Sequence, residues 1–112
     1  MYIFPTYFTE KLKIDFMQRV ILLHSYIYYE HDKNIWTDKQ FDNNAIQLVE
    51  MQAGKTEEWI KQKTQYGYVF YDFDGTTGFD LWGRLNKNDK QYLSNIAERM
   101  LKDETEQRNK TA

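Results

Sequence analysis

The sequence predicts an α+β domain, mainly α: an N-terminal helix–turn–helix pair, a small β element over residues 68–73, and a C-terminal helix. Three observations carry this. Apolar side chains recur at helical spacing through residues 16–27 and again through 41–52. A capping-box pattern, Thr37-Asp38-Lys39-Gln40, marks the start of the second helix. The run Tyr68-Val69-Phe70-Tyr71 is rich in β-prone residues and sits between Gly67 and the turn residues Asp72 to Gly75.

Taken in order, the first helix starts after Thr9 as N-cap, with Glu10 favouring the positive end of the helix dipole. Phe16, Val20, Leu23 and Ile27 form its apolar stripe, widened by Met17, Ile21 and His24, and the helix should run to about Tyr29. Asp32-Lys33-Asn34 breaks it, because Asp and Asn favour turns over helix interiors. The second helix carries Phe41, Ala45, Leu48 and Gln52 on one face, and Gly54 stops it. A short helix capped by Thr56 spans 56–62. After the β element, residues 74–78 read as a turn or hairpin loop, and residues 79–85 return as a strand or open a short helix. The last helix begins near Asn88 or Asp89 and turns Tyr92, Ile96, Met100 and Leu101 inward. Residues 1–103 thus form a single domain: the helical pair at 9–53, then the β element and last helix at 66–103. The tail 104–112, apolar only at Ala112, should fray.

The 112 residues suit one domain, and 41% hydrophobic content is enough for a core. Net charge is −2 with acids and bases interleaved, which argues against broad nucleic-acid binding and against wholesale DNA mimicry. With no Cys, disulfides, thiolate zinc sites and thiol nucleophiles are excluded, and a reducing compartment fits. Residues 1–8 lack the positive n-region of a signal peptide, and the longest strictly aliphatic run, 20–23, is far short of a membrane span. The expectation is a cytoplasmic protein without a membrane partner. The preference for Asn, Lys, Ile and Tyr over Ala, Gly and Pro is that of an AT-rich coding genome, such as a low-GC bacterium or its phage.

The junction of the first two helices holds the densest chemistry. Residues 25–42 gather Tyr28, Tyr29, Asp32, Asp38, Phe41 and Asp42 around one notch, with His24 one turn before Tyr28. Asp38 and Asp42, four apart, share a helix face. Tyr28 and Phe41 would wall a slot for a flat ring, and aromatic walls with an acidic rim suit a cationic heteroaromatic ring bearing hydroxyls. On periodicity alone, plain packing of two helices through Tyr26, Ile27, Ile35 and Phe41 is the favoured reading. His24 among apolar neighbours reads first as a half-buried structural residue.

The spacing from Tyr28 through Asp32 and Asp38 to Phe41-Asp42 resembles the N-terminal subdomain of bacterial NAD-dependent DNA ligases, over about residues 15–52. Tyr29 stands where that family often has His, and Phe41 where it usually has Tyr. The resemblance implies that Tyr28, Tyr29, Asp38, Phe41 and Asp42, with His24 and Asp32 beside them, grip the nicotinamide mononucleotide part of NAD. It does not imply ligation. Asp72-Phe73-Asp74-Gly75 has Asp where the ligase nucleophile Lys would stand, and the chain has no room for a nucleotidyltransferase domain. Asp72 to Thr76 also resembles the Asp-x-Asp-Gly-Thr motif of haloacid-dehalogenase-type phosphatases, but too little chain follows for that fold, and a turn after a strand is the better reading.

The expectation is therefore a non-catalytic binder of NAD or an NAD-derived nucleotide, requiring no cofactor. In a phage it would sequester a nucleotide signal or counter host defence. The alternatives are a protein-interaction module that inhibits a host enzyme, anchored by Trp36, Trp59 and Trp82, and an accessory subdomain acting with a ligase in trans.

Overall fold

The computed structural model describes residues 2–31, 35–75 and 80–111, the last of these through residue 105 with their side chains. Its elements are α1 (Glu10–His31), α2 (Asp38–Gln52), α3 (Glu57–Lys63), α4 (Gly67–Phe70), a 3-10 turn (Trp82–Arg84) and α5 (Lys87–Thr111). There is no strand among the described residues. The breaker Asp32-Lys33-Asn34 and the expected loop residues Thr76 to Gly78 lie outside them. No helix of the described residues is long and apolar enough to cross a membrane.

Helix α1 is the axis, packed by α2 and by α5. Being covered by both, it buries more than a single stripe: Ile14, Met17, Gln18, Ile21, Leu22, Leu23, His24, Ser25 and Ile27 are all buried. Phe16, expected in the stripe, is only partly buried and meets the aromatic residues of the N-terminal arm, with the Tyr2 ring at 5.0 Å and Phe4 at 5.9 Å. The start signals hold. Leu12 N donates to the Thr9 hydroxyl at 3.2 Å, both halves of the Thr37–Gln40 capping box form, and Thr56 caps α3. Helix α5 starts at Lys87, turns Leu93 and Ala97 fully inward, and leaves Tyr92 half exposed. The small Ala97 side chain lets α5 come close to α1. Its backbone stays helical past Asp103, through the segment expected to fray.

The β element expected at 68–73 is a correction: the chain there is helix α4, so the fold is all-α among the described residues. A lone strand would have left its N–H and C=O groups without a neighbouring ladder, whereas a helical turn satisfies them locally. Phe70 N donates to Tyr66 O at 3.1 Å and Tyr71 N to Gly67 O at 2.9 Å. Burial of Val69 and Phe70 decides against their β propensity. Gly67 makes the crossing possible, because a Cβ there would lie 1.9 Å from the Ile60 carbonyl oxygen at the end of α3.

A buried polar hub holds α4 in place. Gln18 Nε2 donates to Gln52 Oε1 (3.0 Å) and Thr64 Oγ1 (3.1 Å), and Gln18 Oε1 accepts from Tyr66 N at 3.1 Å. Gln52 Nε2 donates onward to Phe70 O at 3.0 Å. Helices α1, α2 and α4 are thereby stitched together through amides with matched partners.

Candidate functional site

The α1–α2 notch is built differently from the open slot expected. His24 is buried, and Trp36 from the connecting segment lies flat upon it, centroids 3.6 Å apart and planes within 7°. Phe41 meets Trp36 edge-on at 6.2 Å. Trp36 thus packs between His24 and Phe41. Burial lowers the His24 pKa to about 4, so its imidazole is neutral near pH 7. Tyr28 and Tyr29 are exposed and pack edge-on against each other at 4.8 Å. Asp38, in the first turn of α2, and Asp42, one turn on, are exposed. Asp32 lies outside the described residues. The structure therefore brings His24 and Phe41 together through Trp36, and pairs Tyr28 with Tyr29.

The Asp72 to Gly75 stretch follows a helix rather than a strand, and Asp72 pairs with Arg84 at 2.6 Å. Among the described residues no three His, Asp or Glu side chains converge as a metal site requires.

A second concavity lies on the α5 side of α1. Tyr26, Trp82, Lys87, Lys90, Gln91 and Ser94 line an open cleft of about 440 Å³. Tyr26 is set by α1, and its ring centroid is 4.5 Å from that of Trp82, with planes tilted by 38°. Trp82 is placed by the 3-10 turn, which is held between buried Leu81 and Leu85. Arg84 braces the same turn by donating to Val69 O at 3.0 Å and to the Asp72 carboxylate.

The start of α5 is fixed just as firmly. Asn86 Oδ1 accepts from Asp89 N at 2.8 Å, and the Tyr68 hydroxyl donates to Asp89 Oδ2 and accepts from Asn86 N. Burial and then the bond to Asp89 push the Tyr68 pKa up to about 12, so it stays a donor. Lys87, Lys90, Gln91 and Ser94 are spaced i, i+3, i+4 and i+7, which turns them to one face of α5. One turn beyond, Glu98 Oε1 accepts from the Tyr26 hydroxyl at 3.2 Å and lies 2.8 Å from His31 Nε2.

Sequence reasoning missed this cleft. Lys87, Lys90, Gln91 and Ser94 form the polar face of an amphipathic helix, which reads as solvated surface unless the 3-10 turn opposite is known. The periodic polar face itself was the available signal. Trp36, Trp59 and Trp82, expected as exposed interface anchors, are partly buried and each makes a contact within the chain: Trp36 on His24, Trp59 under the Lys55 ammonium at 4.7 Å, and Trp82 against Tyr26.

Comparison with known proteins gives no match to this chain from any family model, curated protein or solved structure. The ligase resemblance of residues 25–42 therefore rests on those residues alone.

Proposed function

We propose that this chain is a non-catalytic binding module for a nucleotide, with an NAD-derived nucleotide as the leading candidate, and that it binds in the Tyr26–Trp82 cleft. The observation that carries this reading is the pairing of an aromatic wall with two lysines in one cavity large enough for a mononucleotide. A base has a face to lie against Trp82 or Tyr26. A phosphate has the Lys87 and Lys90 ammoniums. The NAD-derived candidate comes from the ligase resemblance, which places the ligand instead at the α1–α2 notch, where Trp36 lies on His24, and the titrations below distinguish the two places.

The test is calorimetric titration at low salt with NAD, ADP-ribose and nicotinamide mononucleotide. Trp82→Ala and Lys90→Gln are expected to weaken binding, Lys90→Gln by about fivefold, as the loss of one exposed charge contact implies. Tyr28→Ala and Asp38→Ala should leave it unchanged. Binding lost with the latter pair and kept with the former would return the site to the notch. Silence with every nucleotide would end the reading.

One observation favours the protein-interaction alternative. Ile3 and Tyr7 on the N-terminal arm are 90% and 78% exposed, and Ile46 on α2 is 53% exposed. The arm is held at Tyr2, whose N donates to Gln47 Oε1 at 2.8 Å and whose O accepts from Gln47 Nε2 at 3.0 Å. This alternative gains if a defined partner enzyme is inhibited by the wild type and by Lys90→Gln, but not by a combined Ile3→Ser, Tyr7→Ser and Ile46→Ser variant.

A further inference from the structure

The cleft is not electrically uniform along its length. Lys87 and Lys90 stand at one end, in the first turn of α5, and the Asp89 carboxylate between them is engaged by the Tyr68 hydroxyl. Gln91 and Ser94 continue the same face as neutral groups. Glu98 follows one turn later, bonded to the hydroxyl of Tyr26, which is itself a wall of the cleft. Glu98 does not itself line the cleft, but its bond to Tyr26 sets a carboxylate just beyond the end opposite the lysines. At the helical rise per residue, Lys90 and Glu98 are separated by about 12 Å along the axis, a span that an extended nucleoside monophosphate can bridge with the reach of the two side chains.

The chemistry at the Glu98 end is selective. An ionised carboxylate accepts hydrogen bonds and donates none, and while Oε1 accepts from the Tyr26 hydroxyl the second oxygen keeps acceptor capacity. A ring amino group brought there gains a charge-assisted bond. A ring carbonyl brought to the same point sets one acceptor against another, and the ring N–H beside it in hypoxanthine or uracil meets the carboxylate only if the base shifts along the cleft.

Resting on the nucleotide reading above, we infer that the cleft is read in one direction, with phosphate at Lys87 and Lys90, the base along Trp82 and Tyr26, and the base's exocyclic amino group at Glu98. The ligand class is then an amino-bearing 5′-nucleotide of the adenine or cytosine type, rather than a hypoxanthine or uracil nucleotide.

AMP and IMP differ at C6, amino against carbonyl, and at N1, acceptor against N–H, and their titration into the full chain tests the inference, with adenosine and inorganic phosphate alongside. AMP should bind about tenfold more tightly than IMP, the scale of one charge-assisted hydrogen bond. Adenosine and phosphate should each bind more weakly than AMP. Glu98→Gln, whose amide can present either a donor or an acceptor, should bring the AMP-to-IMP ratio close to one. Lys90→Gln should weaken both nucleotides alike and leave the ratio standing. Equal affinity for AMP and IMP in the wild type overturns the orientation while leaving a nucleotide site, and so does a ratio untouched by a folded Glu98→Gln. If neither nucleotide binds, the orientation and the nucleotide reading fall together. The wild-type ratio alone decides if Glu98→Gln does not fold.

Discussion

Replacing Gln18 by Leu removes the centre of the buried hub while nearly preserving volume. Three hydrogen bonds go: two donated by Nε2, to Gln52 Oε1 and Thr64 Oγ1, and one accepted by Oε1 from Tyr66 N. The cost is set less by those bonds than by what is left behind. Gln52 Oε1 and Tyr66 N, both on buried residues, lose the partner that Gln18 gave them, each at about 1–3 kcal/mol. Thr64 Oγ1 suffers less, because it still donates to Ile60 O at 2.6 Å. The added apolar surface of Leu offsets part of this, since burying such a side chain contributes about 1.5–3 kcal/mol. The expected net loss is about 2–3 kcal/mol, a large share of the 5–15 kcal/mol typical of a domain. Urea denaturation reads it as a lowered midpoint with an unchanged m-value. A Gln18→Leu, Gln52→Leu double variant should lose less than the two single losses summed, because it removes the stranded Gln52 amide. A single-variant loss under about 0.5 kcal/mol, or strict additivity in the double, would refute the hub as the tie between α1, α2 and α4.

Three further predictions follow from individual side chains. His24 has its folded pKa lowered to about 4 from 6.5 by burial, so the unfolded chain binds its proton first as pH falls. Stability from this group is complete above pH 6.5 and declines as pH drops toward 4, by about 3 kcal/mol in all; urea midpoints across that window check it, and His24→Phe should flatten the decline. Gly67→Ala places a Cβ 1.9 Å from Ile60 O and 2.7 Å from Thr64 Oγ1, so α4 cannot keep its seat; a loss above about 3 kcal/mol, or failure to fold by circular dichroism, is expected. Tyr66 is fully buried with its hydroxyl unpartnered among the described residues, so Tyr66→Phe should leave the urea midpoint unchanged or raise it by up to about 1 kcal/mol in stability.

How much of this was legible in the sequence depended on whether the deciding interaction was local. Thr9, Thr37 and Thr56 announce their helices because an N-cap is satisfied within one turn, and those starts were readable directly. Ala45, Leu48 and Gln52 on α2 were readable because one face meets one neighbour. Helix α1 was read only in part: two helices cover it, so polar Gln18 and Ser25 are buried along with Leu22. Residues 67–70 were misread because their conformation is settled by Ile60 and the Gln18–Gln52 hub, all distant in sequence from a β-prone run. In α5 the choice between Tyr92 and Leu93 as the inward residue turned on the close approach that Ala97 permits. The aromatic and acidic character of residues 24–42 was visible, but not that Trp36 folds back onto His24, a contact set by the path of the connection. The cleft was hidden for the same reason, since it exists only where the 3-10 turn lays Trp82 beside Tyr26.

Trp36 sits in the notch and Trp82 in the cleft, so the indole N–H resonances of a 15N-labelled sample report separately on the two places a ligand could go. Titration with ADP-ribose should shift the Trp82 indole resonance in a saturable way and leave Trp36 where it is. A saturable shift of Trp36 with Trp82 unmoved would contradict the account and place the ligand against His24, and no shift of either would leave the chain without a nucleotide site.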